Sequence, residues 1–275
     1  MSEAIECRRH IIFEGTMLKR LIMVLLSLPL ATALATADPK VSAKRSGDAA
    51  QQAMVGKDSI AVISYLGNEY SVRTIGFLAF GNKRDTVTVN WDLDGVAAAR
   101  IAQSLKAQYA VVPVKLSAQG ISALKAAPAS LFGIGEESRA AHFCTVLRRE
   151  TQGKPFSYYV LIVPSQSDYS NTNQIVQGIG IVYRQGIDTG YTHLHALYRV
   201  EILDGNTCKI LRSDAPRGEN VGFSAVLHGA TREVDRSWMP EPSAVSADAR
   251  LKAATRELLE QSLSALLRKM FASAQ

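Results

Sequence analysis

From Ser59 onward the chain alternates between short runs dense in β-branched and aromatic residues and longer stretches whose apolar residues recur every third or fourth position. SIAVISYLGNEYSVRTIGFLAF, beginning at Ser59, reads as two strands joined at Gly67-Asn68, a hairpin signature, and Thr86 to Asn90 reads as a third strand. Asp92 then stands where a helix cap would, ahead of Leu93, Ala97, Ile101 and Leu105. The almost entirely apolar run from Tyr109 to Leu116 predicts a central strand, while Pro113 inside it favours an edge or a bulge. Ser117 is placed to cap a short helix through Ala126, and a second helix is expected from Glu136 to Arg149. PFSYYVLIVP, from Pro155, and QIVQGIGIVYR, from Gln174, read as buried strands. Thr192 to Leu203 reads as one long strand, joined by the turn Asp204-Gly205-Asn206 to a partner over Thr207 to Arg212.

Residues 213–245, with Pro216, Pro240 and Pro242 and little periodicity, are expected to form a surface loop. Ser246 is placed to cap the last element, in which Leu251, Leu258, Leu259, Leu263, Leu266, Leu267 and Met270 make one stripe of a long amphipathic helix. That stripe is expected to pack on the chain's own sheet. A partner or membrane surface met with Arg256, Arg268 and Lys269 is the alternative. Strands and helices mix without strict alternation, so residues 58–275 are expected to form a single α+β or α/β domain with a mixed β-sheet covered by helices.

Residues 1–37 follow a different rule. Met17 opens a segment with Lys19 and Arg20, an apolar run from Leu21 to Leu30, and the small-residue sites Ala33-Leu34-Ala35 and Ala35-Thr36-Ala37, the pattern of a secretory signal peptide. Glu3, Glu6 and Glu14 interrupt the stretch before it, which makes Met17 the expected start. The apolar run falls short of the ~20 residues that span a bilayer, so cleavage near Ala35 or Ala37 and a periplasmic or secreted location are expected, a retained anchor being the alternative. Residues 38–57, polar and alanine-rich, are expected to be a flexible segment, and no later segment approaches transmembrane length.

The full chain carries a formal charge of +6, and removal of the leader leaves +5, spread without a long basic run or interleaved aromatics. Nucleic acid is therefore not an expected partner, whereas anionic envelope material fits the charge, as does a solvated surface with no partner. Of the three cysteines, Cys7 lies in the leader; Cys144 and Cys208 form either one disulfide in an oxidising compartment or two buried thiols.

His193 and His195, two apart on a strand, share a face with Tyr191, Leu197, Arg199 and Glu201, opposite Leu194, Ala196, Val200 and Ile202. Two imidazoles on one face can hold zinc only with a further ligand, for which Asp188, His142 and His228 are the candidates at no recognised spacing. An amphipathic strand with histidines on its wetter face explains the same residues, and no cofactor or metal is expected. Ser165, Ser167 and Asp168 follow a buried strand where a hydrolase could keep its nucleophile, with His193 or His195 as base, yet no G-x-S-x-G elbow is present. Gly133-Ile134-Gly135-Glu136-Glu137 and Gly178-Ile179-Gly180 lack the pattern of a phosphate loop, the first because two carboxylates occupy the anion's place. Trp91 and Trp238 are expected to be packing anchors, with carbohydrate binding as the alternative.

The order IAVISY, a helix ending in SLKAQYAVVPV, then ALYRVEILDGNTCKIL and a leucine-rich closing helix resembles the small α/β domains of exported envelope proteins, the amino-terminal domain of TolB and the curli-secretion protein CsgG. The resemblance covers about half of the mature chain and carries over no functional residue. It implies a non-catalytic binding or scaffolding role in envelope assembly or maintenance, through a sheet edge or the final helix. The alternative is a metal- or serine-dependent hydrolase built on His193 and His195.

Overall fold

A computed structural model describes residues 57–77, 79–127, 135–169, 172–186, 190–217 and 227–272. The expected leader, the expected flexible segment except Lys57, and the candidate ligand Asp188 lie outside these residues.

The first part of the chain forms β1 (Ser59–Ser64), β2 (Glu69–Ile75), β3 (Lys83–Thr88), α1 (Leu93–Leu105), β4 (Ala110–Val114), α2 (Ala118–Lys125) and α3 (Glu136–Glu150). Then come β5 (Tyr158–Pro164), β6 (Gln166–Asp168), β7 (Ile175–Gln177), β8 (Ile179–Gln185), β9 (Gly190–Ala196), β10 (Tyr198–Asp204), β11 (Ile210–Asp214), β12 (Ala230–Val234) and α4 (Ala249–Ala272). The fold is α+β, with mixed strand directions and a long C-terminal helix. Its strands are shared between two five-stranded sheets, ordered β11-β10-β5-β1-β4 and β12-β9-β8-β2-β3, while β6 and β7 make a separate ribbon.

β1 is buried along nearly its whole length, so both its faces need cover. A hairpin about Gly67-Asn68 would not supply it; instead β1 lies parallel between β4 and β5, and β2 goes to the other sheet. The chain leaving β1 is held by Asp94 in α1, whose carboxylate accepts from Ser64 Oγ at 2.6 Å, Leu66 N at 2.7 Å and Gly67 N at 3.2 Å. The hairpin in this region is β2–β3, closed over residues 76–82. β4 is an edge strand, as Pro113 requires, and leaves Val112 45% exposed.

The long strand expected from Thr192 to Leu203 divides at Leu197. β9 belongs to one sheet and β10 to the other, and Leu197 at the junction donates its N–H to Gly178 O and accepts from Ser165 N. The expected strand from Gln174 divides too, at Gly178, whose φ of +64° a side-chain-bearing residue rarely adopts. Within the expected loop 213–245 lies β12, an antiparallel edge strand on β9. Its charged Arg232 and Glu233 hide the alternation that would have marked it.

One face of each sheet, together with α1 and α4, forms a shared core that includes Ile60, Val62, Tyr70, Val72, Leu194 and Val200. All seven apolar residues of the α4 stripe lie in this core, so the stripe is not open to a partner or membrane. Asp248, rather than Ser246, caps the helix by accepting from Leu251 N at 2.9 Å. Asp92 stands at the start of α1 with no side-chain capping bond, whereas Ser117 caps α2 through Gly120 N as its sequence predicts. The opposite face of the first sheet packs on α2 and α3 through Ile63, Leu161, Phe143 and Leu147. Cys144 of α3 is disulfide-bonded to Cys208 beside the β10–β11 turn, and Arg148 Nη2 donates to Gly205 O and Asn206 O in the same turn. No helix among the described residues is long and apolar enough to cross a membrane.

Candidate functional site

β1 and β5 are parallel neighbours whose outgoing chains part: β1 leads through α1 to β4 on one side, and β5 leads toward β10 on the other. In α/β sheets such a switch of direction opens a crevice beyond the carboxyl ends of the two strands. A cleft of about 820 Å³ lies there, lined by Tyr65 to Gly67 after β1 and by Pro164 to Gln166 after β5. Ser71 and Ile179 of the second sheet also line it, together with Gly178 between β7 and β8, Lys125 of α2 and Phe143 of α3.

The charge on the lining is lopsided. Arg84, Lys125, Arg139 and Arg199 line the cleft against a single carboxylate, Glu69. Arg139 donates to Glu201, whose carboxylate is wholly buried, and this pair ties α3 to β10. Arg84, Lys125 and Arg199 are exposed and make no ion pair among the described residues. Burial pushes the Tyr65 phenol up, and Glu201 adds to the rise while Arg139 opposes it. Behind the lining, Arg73 is buried, donates to Ile175 O and to Gln174 Oε1, and is held below its ordinary pKa by burial and by the charge of Arg84.

His193 and His195 share a face of β9 as expected, but that face is not wet. It is the face of Val182, the cross-strand neighbour of His193, which packs with Tyr169 and Val176. His193 is 4% exposed and His195 1%. His195 Nδ1 lies 3.1 Å from Gly178 O, a carbonyl that can only accept, so the ring proton is on Nδ1. Its Nε2 lies over Gly180, where an added Cβ would come within 2.9 Å of that nitrogen and 2.2 Å of Ser71 O, so glycine is what admits the ring. Burial pushes the His195 pKa down to about 4 and lowers that of His193 as well, the latter against the opposing charge of Glu233.

Of the other candidates, Ser165 lines the cleft and its carbonyl accepts from Gly178 N. Ser167 is buried, and its Oγ donates to Asp168 O and accepts from His228 N. Asp168 is exposed at the end of β6. No hydrogen bond among the described residues joins Ser165, Ser167 or Asp168 to either histidine. His142 bonds Ala123 O at 2.8 Å, and no group of three or more His, Cys, Asp or Glu among the described residues could hold a metal ion. Glu136 and Glu137 occupy the first turn of α3, whose N-cap is Gly135, as their sequence predicts; Gly133 and Ile134 lie outside the described residues. Trp91 is a core anchor, edge-on to Tyr70 at 4.9 Å with its Nε1 donating to Ser246 O. Trp238 is partly buried under Arg250 at 4.4 Å.

The cationic lining had no signature along the chain. Arg84, Lys125, Arg139 and Arg199 come from four separate elements, β3, α2, α3 and β10, which belong to both sheets and to the helices that cover one of them. No family model matches this chain, and no curated protein matches it.

Proposed function

We propose that this chain is an exported, non-catalytic binding or scaffolding protein that recognises an anionic group of an envelope partner in the cleft beyond β1 and β5. One observation carries this reading: Arg84, Lys125 and Arg199 converge on the cleft without ion-pair partners among the described residues, while both histidines are sealed and, among those same residues, neither is hydrogen-bonded to Ser165, Ser167 or Asp168. Cations in a walled cleft focus potential and attract carboxylate or phosphate groups. The strand, helix and Asp204-Gly205 turn order supports placing the domain beside those of TolB and CsgG, and the leader supports export. The hydrolase reading has less support, because a substrate would have to reach imidazoles that are 4% and 1% exposed.

The test is equilibrium binding of a hexaglutamate peptide and of inorganic tripolyphosphate to the full chain at low and high salt. At least one probe should bind, weaken with salt, and lose about tenfold or more in affinity in the triple variant Arg84→Glu, Lys125→Glu, Arg199→Glu. The three side chains are exposed, so the circular dichroism of the variant should be unchanged. His193→Ala with His195→Ala should leave the residual affinity intact in whatever fraction folds. Absence of binding by both probes, or binding indifferent to the triple variant, would remove the cleft from consideration.

A further inference from the structure

Among the described residues, the large apolar side chains left exposed are not evenly spread. Phe77 is 62% exposed, Phe80 89% and Tyr191 53%, and all three belong to one end of the sheet β12-β9-β8-β2-β3, where β2 and β8 finish and β9 begins. The register there sets Ile75 beside Arg184 and Arg184 beside Tyr191, with Lys83 opposite Thr74 on the outer flank. Phe77 and Phe80 stand on the β2–β3 connection just beyond Ile75, and Lys83 and Arg84 open the returning strand. Of the other exposed large apolar residues, Val112 is on β4 and Leu211 on β11 of the first sheet, and Ile175 is on β7 of the separate ribbon.

Exposed apolar rings grouped this way mark a contact surface. Two features decide its chemistry. Phe77 and Phe80 stand on the hairpin connection and Tyr191 at the start of β9 beside it, and none of the three lines the cleft. They are also interleaved with Lys83 and Arg184, against Asp85, on the same strand as Lys83, and Asp235, whose carboxylate is engaged by Ser237 N, while Arg84 faces the cleft. Aromatic rings mixed with cations are the composition of an element that enters the headgroup layer of an anionic bilayer. We propose that this end of the sheet is a peripheral membrane contact: Phe77, Phe80 and Tyr191 enter the boundary between headgroups and acyl chains, and Lys83 and Arg184 meet lipid phosphates. The contact is separate from the cleft reading, and it needs no spanning helix.

The full chain should co-sediment with vesicles of phosphatidylglycerol mixed with phosphatidylcholine, and much less with vesicles of phosphatidylcholine alone. Phe77→Ser with Phe80→Ser should weaken that binding by about tenfold or more, and Lys83→Glu several-fold, both without loss of fold because the side chains are exposed. In a Phe80→Trp variant the added indole should be quenched by bromine-labelled acyl chains. Hexaglutamate or tripolyphosphate binding in the cleft should be unaffected by the two serine substitutions, which separates failure of this proposal from failure of the cleft reading. Three outcomes would overturn it: equal binding to both vesicle types; anionic-vesicle binding that survives the serine variant and is lost with Lys125→Glu and Arg199→Glu; or no vesicle binding with self-association that the serine variant abolishes.

Discussion

A neutral imidazole sealed inside a sheet makes the stability of the chain depend on pH. The pKa of His195 is pushed down to about 4 by burial, while in an unfolded chain it titrates near 6.5. As pH falls below about 6.5, the unfolded chain takes up a proton that the folded one refuses, so stability declines and levels off below about pH 4. The loss from this one group should reach about 3 kcal/mol, and His193, also lowered by burial, adds in the same direction. Melting temperatures measured from pH 7 to pH 4 should fall along this course, and His195→Gln should flatten it; an unchanged pH profile in the variant would place the source elsewhere. The spacing of His193 and His195 was enough to show that they share a strand face. It was not enough to say which face is wet, because alternation with period two separates faces without telling how many are covered. Here both are, one by the core shared with α4 and the other by Tyr169 and Val176.

At the scale of elements, α3 is held to the rest of the fold by more than its apolar face. The Cys144–Cys208 disulfide closes a separation of 64 residues, and beside it Arg148 bonds the β10–β11 turn and Arg139 pairs with Glu201. In the chain-entropy account a loop of this size contributes about 4 kcal/mol. Cys144→Ser with Cys208→Ser should therefore lower the urea midpoint by the equivalent amount without a change in secondary structure, whereas a loss below about 1 kcal/mol would show that Arg139 and Arg148 alone hold the helix. Helices α1 to α4 were legible from their apolar spacing and polar boundaries, and most strands from β-branched runs. The boundaries that failed share one cause. Thr192 to Leu203 and the run from Gln174 are continuous in pattern yet change sheet or conformation at a single residue, Leu197 and Gly178, and a one-residue break leaves no gap in hydrophobicity. β12 failed for the opposite reason, since a short charged edge strand has little apolar pattern to read.

At the scale of the whole molecule, the two sheets are not independent bodies. They contribute to one core with α1 and α4, are joined through Leu197, and enclose Trp91 against Tyr70. Unfolding of the described region should therefore be a single cooperative event. Trp91 fluorescence, read in a Trp238→Phe background, should change at the same urea concentration as far-ultraviolet circular dichroism; separated transitions would show that each sheet holds a core of its own. The residue pattern by itself determined the four helices and most of the strands, that the fold mixes helices with a sheet of mixed strands, and that the last helix buries one leucine stripe, because these follow from local periodicity and from the need to hide apolar surface. It also limited Cys144 and Cys208 to one bond or none. Tertiary structure alone decided that β1 is a central parallel strand, that the histidines are sealed, and that cations from distant segments meet in one cleft. Each of these depends on which strands become neighbours, and strand order is set by covering faces across the whole molecule, information that no local window of sequence contains.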